Sequence, residues 1–275
     1  MTYWQRKRAV ITGGSAGLGL AIARTLVKQG ARVVIAARRA STLEAAAEEL
    51  SGLGGDVLTI AADVTKQDDV ARLNDVVQSA WGGLDLLCHA AGRSMRGTAL
   101  DTSVEDYQRL WDVNFLSAVR CSQQFAPALM KSHGHLVLIG SLASKVAPSF
   151  IGAYPASKFP LAAFAQQLRV ENRDRGLHTL LVCPGPIARD AVEGEGGNST
   201  RYAHQGATVP EAALRPAGGA KVRAIDPHEL AEKILRACER RQPELVVPPK
   251  ARLLFTLAQL SPRLGDWLLR KMTSG

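Results

Sequence analysis

Short β-branched or leucine-rich runs alternate with longer stretches of helical periodicity from the start of the chain to about residue 183, and this alternation constrains the fold most. It places strands near 8–12, 32–37, 56–62, 84–90, 135–140 and 178–183, with helices at about 18–29, 41–50, 67–80, 104–131 and 153–174. Strand, helix, strand repetition implies a parallel sheet with helices on both faces. The runs VVIAA and LDLLCHAA contain few polar residues, as strands covered on both sides require. Gly30 and Gly176 stand where two of the helices should close.

The pattern changes after Pro184. Residues 185–225 are rich in Gly, Ala and polar residues without a sustained period, and a segment of this length inside a compact domain reads as a lid over a substrate site or as a disordered stretch. Regularity resumes at Asp226, which can cap a helix beginning at Pro227, and the run ELVVP supplies a last strand. Beyond Pro249, apolar residues at 253, 254, 257 and 260 mark an amphipathic helix, and Ser261-Pro262 restarts a second one containing Leu264, Trp267 and Leu268. The 275 residues thus divide into one domain over 1–250 and a helical extension over 251–275.

The first strand runs into Thr12-Gly13-Gly14-Ser15-Ala16-Gly17-Leu18-Gly19, and a helix pattern follows at once. Glycines in such a turn admit positive φ and close backbone approach to a pyrophosphate, whose charge the free N–H groups of the helix N-terminus stabilise. Thr12, Gly13, Ser15, Gly17, Leu18 and Gly19 are therefore candidate cofactor contacts. The second strand ends in Arg38 and Arg39 where dinucleotide folds often carry an acid for the ribose 2′-hydroxyl. Arginine suits a 2′-phosphate, so NADP(H) fits better than NAD. At the end of the third strand Asp63 can accept from an adenine amino group or cap the following turn, and Val64 lies beside it.

Tyr154 and Lys158 occur in Tyr-Pro-Ala-Ser-Lys near the start of a helix, and a spacing of four puts both on one face. A phenol with a reference pKa near ~10 is a poor proton donor or acceptor at neutral pH, but an adjacent ammonium favours its phenolate. Ser141 follows the strand HLVLIG, at the carboxyl edge where open parallel sheets bind ligands, and its hydroxyl can hydrogen-bond a carbonyl or alkoxide oxygen.

Together, TGGSAGLG, Ser141, YPASK and the later CPGP resemble the short-chain dehydrogenase/reductase family over about residues 7–250. The resemblance implies an α/β fold, a single Rossmann-type doubly wound parallel sheet. It also implies hydride transfer between a nicotinamide and a carbonyl or secondary alcohol. Tyr154 would transfer the proton, Lys158 would lower its pKa and bind the nicotinamide ribose, Ser141 would orient the reacting oxygen, and Asn114 would support the proton relay. Pro184, Gly185 and Ile187 would lie near the nicotinamide, and Ala91 and Gly92 beside the cofactor. Two positions depart from the family pattern: His89-Ala90-Ala91-Gly92 lacks the usual asparagines, and Arg189 replaces the familiar threonine after Pro-Gly. Lipid-, steroid- and sphingoid-directed members suggest a hydrophobic ketone or alcohol as substrate, with oxoacyl or small xenobiotic carbonyls left open, and the expected protein partner is a second copy of the chain. The alternative is a catalytically quiet NADP-binding regulatory protein.

Lysine and arginine number 34 against 25 acids, a net charge of +9 concentrated at Arg6, Lys7 and Arg8, at Arg38 and Arg39, and beyond residue 244. No aromatic-interleaved basic tract accompanies it, so nucleic acid is not an expected partner. The flanking bases make an anionic membrane surface a possible partner for residues 250–272, against packing on the chain itself or on a partner. Four widely spaced cysteines match no metal or redox motif and point to a reducing, cytoplasmic compartment. His89, His133, His135, His178, His204 and His228 show no ligand spacing, and no metal is expected. The first apolar run is too short for a signal peptide, and none reaches the ~20 residues of a membrane span.

Overall fold

The computed structural model describes residues 2–188 and 223–273. Seven strands form one wholly parallel sheet: β1 (Arg8–Thr12), β2 (Arg32–Ala37), β3 (Asp56–Ala61), β4 (Leu86–His89), β5 (His135–Ile139), β6 (His178–Pro184) and β7 (Glu244–Val247). Their order is β3-β2-β1-β4-β5-β6-β7. The winding reverses between β1 and β4, and the crevice beyond their carboxyl ends is where such sheets bind ligands.

Helices α1 (Gly17–Lys28), α2 (Ala40–Gly52) and α7 (Pro227–Glu239) cover one face of the sheet. Helices α3 (Gln67–Trp81), α5 (Ser117–Lys131) and α6 (Tyr154–Glu171) cover the other. Alternate residues of each strand enter different layers: Ile11, Val33 and Ile35 pack with Ile22, Leu26 and Leu230, whereas Val10 and Val34 pack with Leu73, Phe125 and Leu161. Burial on both sides is why these strands read as unbroken apolar runs. Asp226 caps α7 as expected, its Oδ1 accepting from the backbone N–H of His228 at 2.8 Å and of Glu229 at 2.9 Å.

The helix expected over 104–131 is divided. Helix α4 (Val104–Trp111) passes into a π-helical turn at Asp112–Leu116 before α5 begins. A hydrophobic period cannot register one extra backbone residue, so the sequence shows a single helix there. Of the expected lid, Ile187 and Ile225 pair in a parallel bridge. Most of the segment, including Arg189 and His204, lies outside the described residues.

Two further helices follow β7, α8 (Ala251–Leu260) and α9 (Pro262–Thr273). Phe255 is buried, and Leu254, Ala258 and Leu269 pack with it against the α6 side of the core, so the tail's inner face belongs to this chain. A Cβ on Gly265 would stand 2.7 Å from Ala258 Cα, so the missing side chain lets the two helices approach closely. Leu253, Leu260, Leu264 and Trp267 face outward. No helix among the described residues is long and apolar enough to cross a membrane.

Candidate active site

The glycine turn leaves β1 directly beneath the crevice. Gly13 has φ +69°, and a Cβ there would lie 2.8 Å from Ala91 N; one on Gly19 would lie 2.2 Å from Gly13 O. Gly17 also has positive φ, at +53°, but its missing Cβ would meet nothing within 4 Å. The turn is therefore closed towards the protein and open at Gly17, where α1 starts without an acidic residue in its first turn or a side-chain cap. Its N–H groups face that opening, a cradle suited to an anion. Leu18 buries its side chain in the core and can offer only backbone, while Ser15 Oγ accepts from Thr42 Oγ1 at 3.3 Å. Arg38 and Arg39 are exposed at the end of β2, and neither guanidinium has an ion-pair partner among the described residues.

At the end of β3, Asp63 Oδ1 accepts from Thr65 N at 3.0 Å and Thr65 Oγ1 at 2.8 Å, so the capping role is present. Val64 is buried in the core, which leaves only its backbone for a ligand. Thr12 likewise turns inward, its Oγ1 lying 2.9 Å from His89 Nδ1. His89 Nε2 lies 3.0 Å from Ser117 Oγ, whose own hydrogen goes to Val113 O at 2.8 Å. Ser117 must therefore accept from His89 Nε2–H, which fixes the imidazole as the neutral Nε2–H tautomer with Thr12 donating to Nδ1. Burial drives the His89 pKa down to about 3, with the Lys158 charge adding to the effect. His89 thus ties β1 to the start of α5 through neutral hydrogen bonds.

Asn114 sits in the π turn and is fully buried. Its Oδ1 accepts from Arg93 N at 2.8 Å, while Nδ2 donates to Arg93 O and to Ser157 Oγ, each at 2.8 Å. Ser157 Oγ in turn donates to Tyr154 O at 2.7 Å. The amide thereby joins the segment after β4 to the first turn of α6. Gly92 makes this possible, because a Cβ there would stand 2.9 Å from Asn114 Oδ1 and 3.4 Å from Lys158 Nζ.

Tyr154 opens α6, with its half-buried ring against Met95, Leu110 and Ala153. One turn later Lys158 is buried, and its Nζ donates to Ile139 O at the end of β5 at 2.8 Å. Burial lowers the lysine pKa to about 8, so the ammonium predominates at neutral pH with donors left over. Just beyond the same strand, Ser141 Oγ accepts from Ala143 N at 3.1 Å, and among the described residues its proton has no acceptor. That hydroxyl is a donor held ready. Pro184 ends β6, Gly185 N donates to Val247 O at 2.8 Å, and Ile187 packs partly buried against the core behind them.

Four candidate groups thus come from three neighbouring elements at one sheet edge, with the glycine turn beside them. Two contributors escaped the sequence reading. Ser157 was hidden between the tyrosine and lysine because only the fold brings Asn114 to it, and His89 registered as a departure without its Thr12 and Ser117 partners.

The short chain dehydrogenase pattern matches residues 7–197. A sesame (Sesamum indicum) protein named 11-beta-hydroxysteroid dehydrogenase A is 30% identical over 97% of this chain and 75% of its own length. The crystal structure of L-sorbose reductase from Gluconobacter frateurii, complexed with NADPH and L-sorbose, is 27% identical with a TM-score of 0.73, covering 88% of this chain and 95% of that one. A short chain dehydrogenase/reductase from Burkholderia phymatum, in complex with NAD, superposes with a TM-score of 0.80 at 22% identity over 96% of both chains. With that match spanning the glycine cradle, the asparagine bridge and the tyrosine–lysine helix, the chain belongs to the short-chain dehydrogenase family and is an oxidoreductase.

Proposed function

We propose that the protein is an NADP(H)-dependent carbonyl reductase or secondary-alcohol dehydrogenase acting on a hydrophobic, lipid-like ketone. The observation that carries this reading is the buried Lys158 ammonium anchored on Ile139 O one turn from Tyr154, with the Ser141 hydroxyl at the same strand end. The cradle at Gly13, Gly17 and Gly19 fits a pyrophosphate, because it is open at Gly17, where α1 begins. Arg38 and Arg39, without an ion-pair partner among the described residues, would take a 2′-phosphate. Asp63 retains a carboxylate oxygen for an adenine amino group, and Ala91, Gly92, Pro184, Gly185 and Ile187 would flank the nicotinamide half. When bound, the dinucleotide supplies or accepts the hydride.

The chain's own residues handle the oxygen. Ser141 donates to it and fixes the carbonyl's orientation. Tyr154 gives it a proton during reduction and removes one during oxidation. Lys158 favours the ionised phenol and has donors left for ribose hydroxyls. Asn114 has all three side-chain hydrogen bonds inside the protein, so it supports the relay by holding the π turn and the start of α6 in place. The sesame relative's steroid-directed name and the apolar tail support a hydrophobic substrate. A ketone panel with NADPH and NADH, read at the nicotinamide absorbance, tests this: NADPH-preferring turnover of long-chain or steroid ketones is expected. Activity confined to compact polar ketones would overturn the substrate class. Tight NADPH binding without any turnover would favour the regulatory alternative.

The same reading places the outer face of α8–α9 on an anionic membrane surface. Leu260 is 78% and Trp267 55% exposed, Lys271 Nζ lies 5.2 Å from the Trp267 ring centroid, and Arg252, Arg263 and Arg270 stand around the apolar face. Apolar burial plus attraction of these bases to acidic headgroups favours that surface. Flotation with phosphatidylserine vesicles should recover the full chain and not a Leu260→Ser/Trp267→Ser double variant; equal recovery overturns the placement.

A further inference from the structure

We infer that His135, His178 and Cys238 form a binding site for a divalent cation of the zinc class, at the amino edge of the sheet and opposite the catalytic edge. His135 and His178 are register partners at the first residues of β5 and β6, so the ladder sets their imidazoles face to face. Their Nδ1 atoms lie 2.8 Å apart. Cys238 projects from α7 above them, and its Sγ and the histidine nitrogens all lie within 4.8 Å of one another. All three residues are buried, and the thiol has no hydrogen-bond partner among the described residues.

The outer nitrogen of His178 is arranged as a ligating histidine requires, and that of His135 becomes so once Tyr3 Oη turns from donor to acceptor. His178 Nε2 lies 2.8 Å from Gln242 O, and a carbonyl only accepts, so Nε2 carries the hydrogen and Nδ1 turns its lone pair inward. His135 Nε2 lies 2.7 Å from Tyr3 Oη, which both donates and accepts. With Tyr3 donating, His135 Nδ1–H fills the gap between the rings. With Tyr3 accepting from Nε2–H, both Nδ1 lone pairs face the thiol. Two imidazoles and a thiolate are a donor set for zinc, whose tetrahedral geometry would require the Nδ1 atoms to part by about half an ångström. Glu239, held by Trp4 Nε1 at 2.8 Å, adds negative charge next to Cys238. A cavity of about 270 Å³ lined by Tyr3, Trp4, Lys7, Asp85, His135 and Arg241 borders the site on its His135 side. Binding releases the thiol proton as the metal–sulfur bond forms, with no redox change.

The test is titration of chelator-treated full-length protein with Co²⁺, followed by Zn²⁺ competition. One equivalent of Co²⁺ should give intense tetrahedral visible bands and a near-ultraviolet thiolate charge-transfer band, both abolished by Zn²⁺. Cys238→Ala should lose the charge-transfer band and bind at least about tenfold more weakly, while keeping its ketone reductase rate and circular dichroism. Absence of the charge-transfer band in the unmodified chain overturns the site by itself. So does undiminished binding by Cys238→Ala, which would place the metal on surface histidines. Both readouts are independent of the oxidoreductase reading.

Discussion

At the carboxyl edge of the sheet Lys158 and Asn114 are as deeply buried as His135 and His178 are at the amino edge, yet the two edges leave different valences open. Along the amino edge of the metal-free chain, both ring nitrogens of His135 and of His178 meet a partner within the protein, in the series Tyr3, His135, His178, Gln242. Along the carboxyl edge, Asn114 and Ser157 are also fully engaged, but among the described residues Ser141 keeps a donor proton and Lys158 uses one of its three N–H groups on Ile139. Buried groups with all valences met hold a structure together. Those that keep a donor toward the crevice can act on a ligand, and the enclosure that lowers the Lys158 pKa to about 8 is the cost of placing it there.

The contrast predicts opposite responses to substitution. Lys158→Met should cut ketone reduction by about 10²–10⁴-fold, the range for losing support of a proton-transfer group. It should also stabilise the fold at pH 7 by up to about 3 kcal/mol, because the charged lysine is penalised when buried. The folded pKa lies below the unfolded value, so the native state binds fewer protons between about pH 8 and ~10.4, and the unmodified protein gains stability across that window. The Lys158→Met advantage should therefore shrink there, which denaturant titrations at pH 7 and pH 10 would check. In the free enzyme, kcat/KM for reduction should fall as pH rises through about 8 and the ammonium is lost.

A smaller effect is expected away from the reacting atoms. Exchanging both Arg38 and Arg39 for serine should lower the NADPH-over-NADH ratio of kcat/KM by about 10–100-fold, the equivalent of one or two lost charged hydrogen bonds. Smallest of all in activity is His135→Phe, which strands His178 Nδ1 in the core. It should cost about 1–3 kcal/mol of stability by denaturant midpoint, with kcat within about twofold of the unmodified enzyme. A large kcat loss there would erase the distinction between the two edges.

How much of this was legible beforehand follows the range of the interactions. The strands, the Asp226 cap and the glycine turn are local patterns, and each stands within a residue or two of its expected place. Tyr154 and Lys158 were readable because one helical turn sets their relation. Asn114 could be singled out, but its bond to Ser157 could not, since it depends on how the π turn meets α6. His135 and His178 were read as unrelated because only the β5–β6 register makes them neighbours. The glycine turn marks Thr12 as a cofactor contact but does not show that its hydroxyl points to His89, a choice made by the packing of β1 against β4. The sequence of the tail fits packing on the chain itself, on a partner chain or on a membrane. Phe255 packs inward on the chain itself, and Trp267 faces outward.

The central claim is that Tyr154, with Ser141 and Lys158 beside it at the carboxyl edge, transfers the proton. The most direct measurement is single-turnover oxidation of bound NADPH by a ketone that the unmodified enzyme reduces, compared in Tyr154→Phe. The variant should fold and bind NADPH normally while its rate falls by about 10²–10⁴-fold. A Tyr154→Phe enzyme with normal NADPH affinity and an undiminished rate would contradict the account.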